Sequence, residues 1–183
     1  MEEKLLYKNT SKMDKEEVSM FQGFAMKKNL IILSICFTLI FVGIGVGVSF
    51  IELTFGIITI VCGVLGGFVL LPYLMKEQNK KQNDKAFSDK KYLNTFEFYA
   101  EHVQITTETA LASSNKFEET ATQKVQYSDF VKGVLYKQRL YLYINSNQCF
   151  IINYLGMTKG TIGEVIELLK EKNINIVDKS QSK

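Results

Sequence analysis

Residues 30–75, LIILSICFTLIFVGIGVGVSFIELTFGIITIVCGVLGGFVLLPYLM, hold one charged side chain, Glu52, and the only proline of the chain, Pro72. So much apolar surface with no charged face for water fits a bilayer. A straight helix of this length would run about 69 Å against a hydrocarbon thickness of roughly 30 Å, so the chain must double back. A turn near residues 49–53 leaves about 20 residues for each crossing. It also places Glu52 at the water interface, where it avoids the roughly 2.5 to 3.5 kcal/mol that a charge costs at mid-membrane. The prediction is a two-helix transmembrane hairpin over 30–75.

Basic residues orient it. Lys27 and Lys28 precede the first span, Lys76, Lys80, Lys81 and Lys85 follow the second, and the turn has no Lys or Arg. Positive flanks stay inside, so both termini are expected in the cytoplasm and the protein in the inner membrane. A secretory signal peptide would have a shorter apolar core and would not follow 29 largely polar residues. The net charge of +3 is too small to argue for a nucleic-acid partner. Cys36 and Cys62 fall in the spans and Cys149 in a strand-like run, without the spacing of a zinc site or a disulfide framework. No cofactor or metal is expected.

Within the hairpin, Gly43 and Gly47 form one G-x-x-x-G and Gly63 and Gly67 another. Glycines four apart line one helix face and let backbones approach, so these faces are expected to pack on each other; the competing use is a homodimer. The run Gly43-Ile44-Gly45-Val46-Gly47 fails the dinucleotide-loop spacing, because Val48 stands where the third glycine belongs. Pro72 lacks a backbone donor and should kink or end the second helix.

Before the hairpin, residues 1–29 hold a short apolar strand at Leu5, Leu6 and Tyr7, then a helical stripe of Met13, Val18, Phe21 and Phe24. This N-terminal segment is expected to pack on the membrane surface or on the soluble domain. After the hairpin, residues 76–90 read as a basic linker whose Lys76, Lys80, Lys81 and Lys85 could contact anionic lipid.

From residue 91 the apolar period changes from helical to alternating. Phe96 and Phe98 alternate with Thr95, Glu97 and Tyr99, and further strands are expected near 103–112, 117–126, 131–136, 140–144 and 149–154. Turns fall at 100–102, 113–116 and 145–147. Thr161 and Glu164 make a capping box before Ile162, Val165, Ile166 and Leu169, whose spacing is that of a one-faced helix. The fold class is α+β: the hairpin, then a mostly antiparallel β domain over 91–177 closed by the C-terminal helix, with a disordered tail at 178–183.

The stretches FEFYAEHV (96–103), VQYSDFVKGV (125–134), LYLYI (140–144) and CFIINY (149–154), behind two adjacent spans, resemble the YcxB-like family of small bacterial membrane proteins. The family pattern has a proline after the last apolar strand, where this chain has Asn153. The resemblance implies a pleckstrin-homology-like domain and no established catalytic activity, so it supplies no site residues.

Chemistry is sparse. The single histidine, His102, falls at an expected turn, where left-handed conformations favour it. No nucleophile elbow, P-loop, zinc-protease or calcium-loop pattern is present. Tyr141, Tyr143, Lys137 and Arg139 are the best candidates for an interaction surface, an aromatic and basic patch suited to lipid headgroups or a peptide. The expected function is a non-enzymatic membrane-anchored interaction or regulatory domain of unknown ligand. The alternative is a transport accessory or small channel subunit assembled through the glycine faces, against which stands the lack of charge inside the spans.

Overall fold

The computed structural model describes residues 3–111, 119–145 and 148–180. They divide into two compact units, one of residues 15–87 and one that combines residues up to Asp14 with those from Ser88 onward.

The first unit is helical. Helix α1 (Lys15–Ser49) turns at Phe50 and Ile51 into α2 (Leu53–Leu65). A five-residue π turn, Gly66–Leu70, then leads into α3 (Leu71–Phe87). The reversal lies within the predicted stretch. Both arms are long and apolar enough to cross a membrane.

Pro72 does not end the second arm. Its missing N–H would orphan a carbonyl one turn back, and the preceding turn widens: the Leu71 N–H donates to Gly66 O, five residues earlier. Nor is 76–90 a linker. It is helical through Phe87, because Lys, Glu, Gln and Ala are good helix formers and Lys81 pairs with Glu77 one turn away at 3.3 Å. The helix expected before the first span runs without a break into it, so residues 15–29 belong to α1. Each arm therefore continues beyond the apolar run, by about 22 Å and about 18 Å respectively.

The helices meet along small residues, though not all of those singled out from the sequence. A Cβ on Gly45 would lie 2.9 Å from Gly56 O, and one on Gly56 would lie 2.7 Å from Gly45 O. Gly63 faces the Phe41 side chain, and Gly67 faces Thr38 and the Ser34 carbonyl. Gly43 and Gly47 have nothing within 4 Å of their Cβ positions. Two residues along a helix is a rotation of about 200°, so the contact at Gly45 turns Gly43 and Gly47 outward.

Among its described residues the second unit holds nine strands. β1 (Tyr7–Met13) pairs antiparallel with β2 (Lys90–Phe98) over seven residues, from Tyr7 opposite Phe98 to Met13 opposite Tyr92. The entire hairpin is thus an insertion between two neighbouring strands. β3 (His102–Leu111) and β4 (Glu119–Gln126) continue the meander. β5 (Lys132–Tyr136), β6 (Arg139–Tyr143) and β7 (Cys149–Asn153) form a second one. Then come β8 (Met157–Lys159), α4 (Ile162–Glu171) and β9 (Asn175–Asp178). The strand order is β4-β3-β2-β1-β8 in one sheet and β7-β6-β5-β9 in the other, with β9 parallel to β5. The mostly antiparallel domain is therefore built of two sheets, and β8 and β9 are strands beyond those expected within 91–177.

Alternation places Phe96 and Phe98 of β2, Val103 and Ile105 of β3, and Leu140 and Leu142 of β6 in one core. α4 adds Val165, Leu168 and Leu169 to it. Its start is the expected capping box: Glu164 N–H donates to Thr161 Oγ1 at 3.3 Å, and Thr161 N–H to the Glu164 carboxylate at 2.7 Å. Its end is a Schellman motif, with Ile174 N–H donating to Leu169 O at 3.0 Å, Asn173 N–H to Lys170 O at 2.9 Å, and Asn173 at φ 62°. Lys137 and Gln138, at φ 45° and 60°, make the two-residue turn between β5 and β6.

Asn153 has a local use that a proline lacks. Its N–H donates to Ser11 Oγ at 3.1 Å and its carbonyl accepts from Asn9 Nδ2 at 2.8 Å. Asn9 and Ser11 are buried, so this network ties β1 to β7 where unsatisfied polar groups would be costly. The expected tail begins within structure: Asp178 ends β9, and Lys179 N–H donates to Leu135 O at 2.9 Å. Residues 181–183 and the turns at 113–116 and 146–147 lie outside the described residues.

Candidate functional site

The sequence-derived aromatic and basic patch does not form. Tyr141 and Tyr143 are 0% and 6% exposed. β6 lies inside its sheet, and Val134, Tyr141 and Ile151, aligned across β5, β6 and β7, are all buried. Both faces of the strand are covered, so its outward positions are apolar sites rather than a wetted surface. Lys137 is exposed in the turn, and Arg139 donates to the Lys137 carbonyl at 2.8 Å.

His102 is not in a left-handed turn. It opens β3 in extended backbone, stacked on Tyr99 with centroids 4.8 Å apart and with Nδ1 3.5 Å from the Glu3 carboxylate. It is 4% exposed. Nearby, burial raises the Tyr127 phenol, whose hydroxyl donates to Tyr99 O at 2.7 Å. These contacts read as packing at the end of a sheet. Among the described residues, no three His, Cys, Asp or Glu side chains gather as a metal site would require.

Burial pushes the Cys149 thiol up to about 12. A thiol so rarely ionised is a poor nucleophile. In a Cys36→Ser, Cys62→Ser background, iodoacetamide alkylation at pH 8 is expected to run about a thousandfold slower than for a free thiol and to climb about tenfold per pH unit. Alkylation at the free-thiol rate would place Cys149 at the surface instead.

A large concavity carrying charge lies within the helical unit, between α1 and α3 around the open end of the apolar run, with a volume of about 970 Å³. That is at the upper end of volumes usual for small-molecule sites. On α1, Lys15, Ser19, Gln22, Met26, Lys27 and Leu30 line it, spaced as one helix face. On α3, Lys76, Lys80 and Lys81 line it, whereas Lys85 does not. The helices are held together across it. Gln22 and Asn83 exchange amide hydrogen bonds of 3.2 and 2.9 Å, Lys15 pairs with Asp84, and Asn79 Nδ2 donates to Met26 Sδ at 3.3 Å. Lysine spacing on α3 alone was legible in the sequence; its partners on α1, about 50 residues earlier in the chain, were not.

Fold and site together define an α+β protein with two helices long and apolar enough to span a bilayer, inserted between adjacent strands of a β domain. The chain matches no family model, no curated protein and no solved structure.

Proposed function

We propose that this is a non-enzymatic integral protein of a bacterial inner membrane, in which the hairpin anchors a cytoplasmic interaction or regulatory domain. The observation that carries the reading is the ladder between β1 and β2. Strands on either side of the hairpin belong to one sheet, so the hairpin must return to the side it left. The lysines at its open end and their absence from residues 49–53 favour the cytoplasm as that side. The domain's order, four strands, three more, then the short β8, α4 and β9, supports a pleckstrin-homology-like arrangement extended by β8 and β9, with α4 as its closing helix, in keeping with the YcxB-like resemblance. The placement of α4's Val165, Leu168 and Leu169 in the core supports that closure.

Reporter fusions test it. Green fluorescent protein is expected to fluoresce at either terminus, and alkaline phosphatase to be active only when inserted at Phe50 or Ile51. An active phosphatase at either terminus, or a chain released from membranes by carbonate, overturns the reading. Site-specific crosslinking from the β domain in native membranes then identifies what it binds. The second reading, a self-assembling channel or transport accessory subunit, is favoured by the outward face of Gly43 and Gly47. It requires ion flux in vesicles containing only this chain.

A further inference from the structure

We propose that the groove between α1 and α3 is a headgroup site for an anionic phospholipid. One end of the groove is apolar and begins where the transmembrane run stops, with Leu30, Pro72 and Met75 in its lining. The cationic part lies immediately beyond. Lys15 and Lys81 are taken up by Asp84 and Glu77, the two acidic residues of the lining. Lys27, Lys76 and Lys80 make no ion pair among the described residues, and all three are exposed. Three ammonium groups around an open concavity with its carboxylates neutralised leave a local excess of positive charge. Lys27 and Lys76 are within one helical turn of the apolar run, the depth at which a lipid phosphate lies.

The apolar end decides between a lipid and a soluble phosphate. A free anion would use the lysines alone, whereas a phospholipid also covers the apolar surface with its glycerol and first acyl carbons, continuous with the bilayer around the spans. The inference rests on the anchoring proposed above.

The chain has no tryptophan, so Tyr73→Trp, at an exposed position lining the groove, provides a single tryptophan in the full-length protein. Reconstitution into vesicles of phosphatidylcholine and phosphatidylglycerol, with one or the other brominated, measures which lipid sits beside it. Phosphatidylglycerol is expected to be enriched at least about fivefold over its bulk share. Lys27→Gln, Lys76→Gln and Lys80→Gln together should bring the enrichment close to one. Lys28→Gln, Lys85→Gln and Lys90→Gln, which remove equal charge outside the groove, should leave most of it. Enrichment near one in the parent, or equal loss in both triple variants, overturns the site. Displacement by millimolar soluble glycerol phosphate overturns the lipid assignment, and no displacement supports it. Flotation of the same vesicles separates the two proposals: a chain that floats without enrichment refutes only the groove, and one that does not float refutes the anchoring as well.

Discussion

A chain in which Asn-Gly replaces residues 14–91, joining Met13 to Tyr92 through a two-residue turn, is expected to be a soluble, monomeric, cooperatively folded β domain, whereas a chain beginning at Ser88 is expected to aggregate. Met13 and Tyr92 are opposite each other at the end of the β1–β2 ladder, and a two-residue Asn-Gly turn spans such a gap in a hairpin. The excision removes the helices and only Lys90 and Lys91 from the start of β2, leaving every other strand intact. Starting at Ser88 does the reverse. It removes the seven-residue pairing with β2, the contacts of β1 with β8, and the buried Asn9 and Ser11 that meet Asn153. At a net of about 1 kcal/mol per hydrogen bond, the loss is comparable to the roughly 5 to 15 kcal/mol that stabilises an ordinary domain. It also opens β2 and β8 as unpaired edges. Far-UV circular dichroism, size exclusion and thermal melts read the difference. A folded monomer from the Ser88 start would show that β1 is dispensable.

Substitutions along α1 and α2 should divide sharply by helix face. Gly45→Leu and Gly56→Leu are expected to disrupt the hairpin, and Gly43→Leu and Gly47→Leu to leave it intact. At Gly45 and Gly56 each added Cβ would meet the partner helix's backbone carbonyl, which cannot move aside as a side-chain tip can. Overpacking of this kind costs about 1 to 3 kcal/mol where side chains can yield, and more where backbone must. The measurements are membrane accumulation and resistance of the solubilised protein to limited proteolysis, with a several-fold fall expected in both for the first pair. Equal sensitivity in all four variants would mean that the helices meet through another face. Loss of crosslinked dimers in Gly43→Leu, with the monomer unharmed, would assign the outward glycines to self-association.

What the residues disclosed was mostly local. The greasy run and its uncharged tip located the reversal, alternation located β2 through β7, and the Thr161–Glu164 box located the start of α4. What they concealed depended on partners far along the chain. YKNTSKM has one buried face of Asn9 and Ser11, polar residues that look like loop until Asn153 is set beside them. The glycine pattern gave the spacing of a contact face but not its rotation, which the close approach of Gly45 and Gly56 sets. Alternation alone makes Tyr141 and Tyr143 solvent-facing only in a sheet with one wet side, whereas both sides of β6 are covered. The lysines of 76–85 carry two signals, a positive charge that marks a linker beside a membrane and a helix-forming tendency, and the second prevails through Phe87. The groove needed both arms at once.

The placement of the hairpin between paired strands bears on biosynthesis. β1 leaves the ribosome first, its partner β2 only after both apolar helices, so β1 stays unpaired until the hairpin has been made. Tethering two strands through a slack connector of this length would cost roughly 4 kcal/mol in closure entropy; the folded hairpin, its arms clasped by Gln22–Asn83 and Lys15–Asp84, removes most of that burden. Under the anchoring proposed above, completion of the β domain is thereby coupled to entry of the hairpin into lipid, and a copy whose hairpin fails to form leaves β1 unpaired, an open seam for proteases to find.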